Sequence, residues 1–283
     1  MRVLFVFLIS LLLVPGLSAQ DAKMPLRDMV RIPSPAPGTS DIYNYVVSVL
    51  ELTLQVTERE YGRLTVYSNP QTTPQQRQLM NLANGNTDIA WSITSAERES
   101  QYLPVRVPFI GGLFGYRVLL IHADDERFNY APTLAELKAM TAIQGANWPD
   151  TQILQFNEFN VIGSYENGLK LLHRKMVDYY PRAVHEYSQE LAENPQYKLK
   201  LAPHVGLKYP NPLFFFVNKN NLELAERLTK GLTMLHNNGQ LNALLYSQPF
   251  YRDADTALSG REIHVLRNPL LTKETLDALS RFQ

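Results

Sequence analysis

The chain has 283 residues, 27 of them Lys or Arg and 27 Asp or Glu, and it has no cysteine. A formal net charge of zero excludes a general nucleic-acid binder, which carries a basic excess. A hydrophobic share of 45% against 19% charged excludes a disordered chain, and the missing thiols exclude disulfides, thiolate nucleophiles and cysteine-ligated metals.

The amino terminus carries one positive charge, Arg2, then an apolar run over residues 3–14, then Pro15-Gly16-Leu17-Ser18-Ala19. Residues 1–19 read as a secretory signal peptide cleaved after Ala19. The run is too short to anchor the chain across a bilayer. No cysteine follows it to carry a lipid, so the expected product is not a lipoprotein. It is an exported, freely diffusing protein of a Gram-negative periplasm.

Residues 29–33 form a strand candidate, and the Pro-rich run 33–38 a loop. Ser40 or Asp41 then caps a helix whose apolar face holds Val46, Val49, Leu50 and Val56. Residues 64–67 read as a strand, Thr73-Pro74 opens a helix that Gly85 closes, and residues 88–93 form the next strand. This alternation predicts an α/β sheet. A second repeat follows. It has strands at 118–121, 141–144, 160–162 and 177–180. Its helices start at the Thr133–Glu136 capping box and at Pro149, and cover 165–175 and 183–193. Residues 212–217 form an apolar strand, 222–238 a helix closed by Gly239, 240–246 its continuation, 263–266 a strand and 273–282 a last helix. With no low-complexity linker between them, the two α/β halves are expected to be interleaved lobes. Extended crossover segments between such lobes let them hinge over a cleft, and open α/β sheets bind ligands at the carboxyl ends of their strands.

The six histidines lack metal-ligand spacing, and there is no nucleophile elbow, P-loop or dinucleotide fingerprint. Asp178 and Glu186 are the one acid/base pair considered, and eight residues across a strand–helix turn is a weak spacing for it. No cofactor, metal or catalytic residue is therefore expected. The strand-to-helix junctions carry more. In Trp91-Ser92-Ile93-Thr94-Ser95-Ala96-Glu97-Arg98 a strand ends where two hydroxyls and an arginine meet a helix start, a combination suited to anions. Gly145-Ala146-Asn147-Trp148-Pro149 offers close backbone approach, the Asn147 amide and an aromatic cover. In Tyr180-Pro181-Arg182-Ala183-Val184-His185-Glu186, Arg182 suits a carboxylate and Glu186 an ammonium. Arg77 and Tyr43 complete the candidate ligand-binding set. The same residues also fit plain structural roles: Ser95 as a helix cap, Trp148 as packing between lobes, and Arg77, Tyr43, Arg98, Arg182 and Glu186 as surface groups.

The runs Asn84-Gly85-Asn86-Thr87-Asp88-Ile89-Ala90, Thr94-Ser95-Ala96-Glu97-Arg98-Glu99, Val107-Pro108 and Gly115-Tyr116-Arg117-Val118-Leu119 occur in that order. Together they resemble the bacterial family 3 extracellular solute-binding proteins, the periplasmic amino-acid receptors of ABC importers, as a divergent branch. The resemblance implies an α/β, two-lobed periplasmic-binding-protein type 2 fold. Each lobe would be a mixed, mostly parallel sheet flanked by helices, and two crossover hinge segments would join them. Residues 20–116 plus 213–283 would make lobe 1 and residues 117–212 lobe 2. Arg98 would bind a ligand carboxylate, with Ser95 beside it. The family's second-lobe Gly-Thr-Thr is here Gly145-Ala146-Asn147, and its ammonium-binding Asp falls near Ala183. The pair Arg98 and Arg182 would suit a ligand with more than one anionic group. The expected function is non-enzymatic: a monomer that closes on a small polar, amino-acid-like or anionic solute and presents it to a membrane permease. The same fold also serves ligand sensing for a membrane receptor and, less often, catalysis.

Overall fold

The computed structural model describes residues 29–35, 40–68 and 75–282. The signal-peptide reading, most of the Pro-rich loop and the Thr73-Pro74 helix start lie outside them. Strand β1 (Met29–Ile32) leads to α1 (Ser40–Val56), α2 (Glu58–Tyr61), β2 (Thr65–Ser68), α3 (Gln75–Ala83), β3 (Ile89–Ile93), α4 (Ala96–Gln101) and β4 (Leu103–Val105). The chain then runs through β5 (Tyr116–His122), α5 (Leu134–Ala139), β6 (Thr141–Gly145), α6 (Pro149–Phe156), β7 (Asn160–Ser164) and α7 (Gly168–His173). After these come β8 (Tyr179–Ala183), α8 (Tyr187–Glu193) and β9 (Leu199–Lys208). The last third holds β10 (Leu213–Val217), α9 (Leu222–Asn237), α10 (Gln240–Tyr246), α11 (Pro249–Leu258), β11 (Glu262–Val265) and α12 (Lys273–Leu279).

In the first lobe β1 pairs with β2 in parallel, and β10 lies antiparallel between β3 and β4. Asp88 joins the two ladders. Its carboxylate accepts from the Arg31 backbone amide at 2.7 Å and from the Arg31 guanidinium at 2.9 and 2.7 Å, while its own amide donates to the Arg31 carbonyl. The acid of the Asn-Gly-x-x-Asp run thus holds β1 beside β3. The helix expected from Val46, Val49 and Leu50 buries those residues completely, in one core with Phe215 of β10 and Leu228 and Leu232 of α9. Arg227 of α9 is buried and donates to Thr57 and to the carbonyls of Leu54 and Gly62, satisfying the carboxyl-terminal end of α1. On the other face of the sheet, Leu79 and Leu82 of α3 pack on Ala90, Phe214 and Phe216.

The second lobe is one six-stranded sheet in the order β11-β9-β5-β8-β6-β7. β6 is parallel to β7 and β8, whereas β5 is antiparallel to β8 and β9. The expected parallel run is therefore interrupted at β5, which is antiparallel to both of its neighbours. Helix α11 and the short α2 and β4 have no counterpart in the sequence reading, and three further differences concern the second lobe. The strand placed at 177–180 is β8, which continues to Ala183, because Arg182 and Ala183 pair with Val118 and Arg117. Pairing on a buried strand overrides the helix expected from Ala183. Helix α7 begins at Gly168, where the Asn167 side chain accepts from the Leu169 amide, and not at Tyr165. The ten-residue strand β9 has no counterpart in the sequence reading, since Pro203 and Gly206 break its pattern.

The two expected crossovers are present, at 106–115 and 209–212. The tail adds another excursion. β11 pairs in parallel with β9, so residues 262–265 sit on the second-lobe sheet although the sequence reading placed all of 213–283 in lobe 1. The chain then returns, and Thr272 and Thr275 bond Glu99 of α4.

A buried knot ties the crossovers to the second lobe. Arg117, 5% exposed, donates to Asp150 at 2.7 Å and to the carbonyls of Phe114 and Tyr116. Its guanidinium lies 4.8 Å over the Tyr209 ring, and the Tyr209 hydroxyl donates to the same Asp150 oxygen. A Cβ on Gly115 would collide with the Tyr209 carbonyl, so glycine lets the two crossing strands touch. Burial alone would raise the Asp150 pKa, but the charge and hydrogen bond of Arg117, with the Tyr209 hydroxyl, hold it below the usual aspartate range. The contribution of the pair is therefore complete above the unfolded aspartate value and is lost as pH falls through the lower folded value. Asp150→Asn, which leaves a buried guanidinium without its counter-charge, is expected to cost about 3–5 kcal/mol at neutral pH. Thermal melts across an acid series check this. The variant should start lower and lose less on acidification than the native chain.

Candidate functional site

Four candidates from the first lobe, Tyr43, Trp91, Ser95 and Arg98, are not taken up by carboxylates or by the opposite sheet face; Tyr43, Ser95 and Arg98 stand at carboxyl ends of strands and Trp91 within β3. At the ends of β1 and β2, the Tyr43 hydroxyl donates to the Pro33 carbonyl at 3.1 Å and shares a hydrogen bond of 2.8 Å with Ser68. Its ring meets Trp91 at 5.5 Å, and Trp91 stands edge-on to Phe215 at 6.4 Å. Trp91 is only partly buried, so Tyr43 and Trp91 form one aromatic surface, rooted in the first-lobe core. Ser68 belongs with them and was not singled out in the sequence. At the end of β3, Ser95 caps α4 by accepting from the Arg98 amide at 3.3 Å.

Arg98 folds back onto the Ile93 carbonyl. It is partly buried, and burial holds its pKa below the usual arginine value. Among the described residues no carboxylate lies within ion-pair distance of it. Two amides of the first turn of α4 are already bonded, Ala96 to the Leu270 carbonyl and Arg98 to Ser95. The guanidinium is therefore the group of this junction with donors left to meet an anion.

Two first-lobe candidates stand elsewhere. Thr94 is buried, and its hydroxyl donates to Glu99 at 2.7 Å. Glu99, with 3% of its side chain exposed, also accepts from Arg106, Thr272 and Thr275. Burial raises its pKa, and these four donors more than offset that. Thr94 is thus part of a lock joining α4 to the tail. Arg77 is exposed on α3, and the apolar residues of that helix cover the sheet face opposite Trp91.

The second-lobe candidates gather around α6. Helix α6 leaves β6 toward β7, while α8 leaves β8 toward β9, so the strand order reverses between β6 and β8. Crevices form at such points. A cavity of about 290 Å³ opens there, lined among others by Gly145, Asn147, Trp148, Ser164, Tyr165 and Tyr180. Asn147 accepts from the Tyr165 hydroxyl at 3.1 Å. Trp148 is 42% exposed, so it is not packing buried between lobes. Arg182 lies 5.0 Å over the Trp148 ring and 4.8 Å over that of Tyr180.

Arg182 was expected at a strand end, open to a ligand. It is instead inside β8 and 7% exposed, and its guanidinium is held by Glu190 and, at 3.2 Å, by Glu186. Glu186 is half exposed and serves this ion pair, so neither group is a free ligand contact. The considered acid/base partner Asp178 is held by Arg127 and the Thr141 amide. Asp150 and Glu190 had no sequence signal beyond their positions in the first turns of α6 and α8.

Gly145 carries the cavity wall. A Cβ there would stand 2.5 Å from the Trp148 ring. Gly145→Ala is expected to push the indole off β6 at a cost of about 1–3 kcal/mol. Tryptophan fluorescence checks this, with a red shift if the ring moves into water and an unchanged spectrum if it does not.

No family model matches the chain, and no curated protein matches it by sequence. Solved structures do. The probable amino-acid ABC transporter extracellular-binding protein YtmK of Bacillus subtilis matches with a TM-score of 0.57 at 15% identity, over 78% of this chain and 97% of that one. The periplasmic VFT2 domain of Bordetella pertussis BvgS matches at 0.54 and 16%, over 78% and 93%. An ancestral arginine-binding protein bound to arginine matches at 0.52 and 15%, over 79% and 99%. The chain therefore has the two-lobed α/β fold of periplasmic binding proteins, with sheets flanked by helices.

Proposed function

We propose that the chain is a non-catalytic solute-binding protein of the family 3 type, exported to the periplasm as a monomer. It closes on a small polar solute that bears a carboxylate and presents the closed form to a membrane partner. The observation that carries this reading is Arg98. It is a partly buried guanidinium at the carboxyl end of β3 that meets a backbone carbonyl and, like Arg227 and Arg261 elsewhere, no carboxylate, while Arg31, Arg106, Arg117, Arg127 and Arg182 all hold carboxylates. A desolvated cation with spare donors favours a bidentate anion. The aromatic pair Tyr43–Trp91 supplies an apolar wall on the same lobe, and Trp148 supplies one on the other.

On this reading lobe 1 comprises 20–116 plus 213–283 and lobe 2 comprises 117–212, with the strand at 262–265 assigned to the second lobe because it pairs with β9. Arg182 is neutralised within its own lobe, so the reading rests on one anion-binding arginine and no longer favours a ligand with two anionic groups. Solved structures of this fold include a probable amino-acid ABC transporter binding protein, which supports a permease as the partner.

Thermal-shift screening against amino acids, small peptides and organic acids tests the reading. A solute at one hundred times its dissociation constant should add about 2.7 kcal/mol of stability. Arg98→Ala should remove that gain, and Arg98→Lys should keep only part of it. A screen in which no carboxylate stabilises the native chain overturns the reading.

A further inference from the structure

The cavity at the carboxyl ends of β6 and β7 carries an acceptor chemistry that Arg98 does not explain. Gln144 lines it and is 2% exposed. Its Nε2 donates to the Pro181 carbonyl at 2.8 Å. A carbonyl can only accept, so this bond sets the orientation of the amide. Oε1 is left as a buried acceptor with no hydrogen-bond partner among the described residues. Native interiors rarely leave such an atom unmet without a functional reason.

The same cavity is lined by one charged residue, Glu166. Its amide donates to Ser164 at 3.0 Å, and its carboxylate forms no ion pair among the described residues. The walls are aromatic. Tyr165 is 85% exposed, Trp148 is 42% exposed, and Tyr180 closes the inner side. Arg182, over the Trp148 and Tyr180 rings, is bound by Glu186 and Glu190. Its charge does not answer Glu166.

A buried carbonyl oxygen and an unpaired carboxylate around about 290 Å³ select for a donor that is also a cation. We propose that this cavity takes the cationic head of the solute's side chain, a guanidinium or a terminal ammonium. The inference rests on the solute-binding reading and sharpens its ligand class. Arg98 takes the carboxylate, and Glu166 and Gln144 take a positive group at the other end.

Calorimetric titration of the full chain with arginine, citrulline and agmatine separates the two ends of the ligand. Citrulline keeps the carboxylate and replaces the guanidinium by a neutral urea. Agmatine keeps the guanidinium and has no carboxylate. Arginine should bind at least about ten-fold tighter than citrulline, roughly 1.4 kcal/mol. Glu166→Gln, a change at an exposed side chain, should erase that difference and the agmatine signal. Arg98→Ala should weaken arginine and leave agmatine within about two-fold. If arginine and citrulline bind equally and Arg98→Ala weakens both, the cation pocket is overturned and the carboxylate reading stands. If agmatine binding depends on Glu166 while Arg98→Ala leaves arginine unchanged, the pocket stands and the carboxylate reading is overturned. Discrimination between arginine and citrulline that survives Glu166→Gln also overturns the pocket, and so does no binding of any of the three.

Discussion

The buried pair Arg117–Asp150 is the constraint on which the rest of the structure depends. Arg117 begins the strand that enters the second lobe, and Asp150 sits in the first turn of α6, the helix beside the second-lobe cavity. Tyr209, on the segment that leaves that lobe, bonds the same carboxylate. One interaction thus fixes both crossovers and the position of the second half of the site. Such a pair is costly to bury and tolerable only because its remaining donors are met, here by the Phe114 and Tyr116 carbonyls. The arrangement also gives the first turn of α6 its own anion. A ligand carboxylate at this helix start would meet Asp150, which favours Arg98 in the other lobe as its receptor.

Charge satisfaction sorts the remaining candidates. Zero net charge means that specificity comes from local groups and not from a global field. Most of the buried charges are committed: Arg31 to Asp88, Glu99 to Arg106 and three threonines, and Arg182 to Glu186 and Glu190. These lock strands, the tail and helix α8 in place. Arg98, like Arg227 and Arg261, meets carbonyls and no carboxylate, and the exposed Glu166 of the other lobe forms no ion pair among the described residues. The tail excursion through β11 adds a second strap between the lobes, so any closure must move residues 259–261 and 266–271 together with the two crossovers.

Much of this was legible in the residues. Periodicity and caps located α1, the capping box of α5, the Pro149 start of α6 and the Gly239 end of α9. The order of short motifs implied the fold, and the Ser95–Arg98 junction was visible as hydroxyl, cap and arginine in one turn. The partners of the charges were not visible. Glu190 meets Arg182 from a helix whose start was misplaced by four residues, and Tyr209 meets Asp150 across 59 positions. Strand β9 was hidden because Pro203 and Gly206 break its alternation, and only pairing on both sides makes it a strand. Thr94 looked like an anion contact because its hydroxyl stands beside Ser95. Its true partner, Glu99, lies five residues on and is buried by the tail.

A crystal structure of the chain with the best stabilising carboxylate solute tests the central claim most directly. The account predicts the solute between the lobes, with its carboxylate about 2.7–2.9 Å from the Arg98 guanidinium. It also predicts the Arg117–Asp150 pair unchanged. A solute bound elsewhere, with Arg98 still turned onto the Ile93 carbonyl, would contradict it.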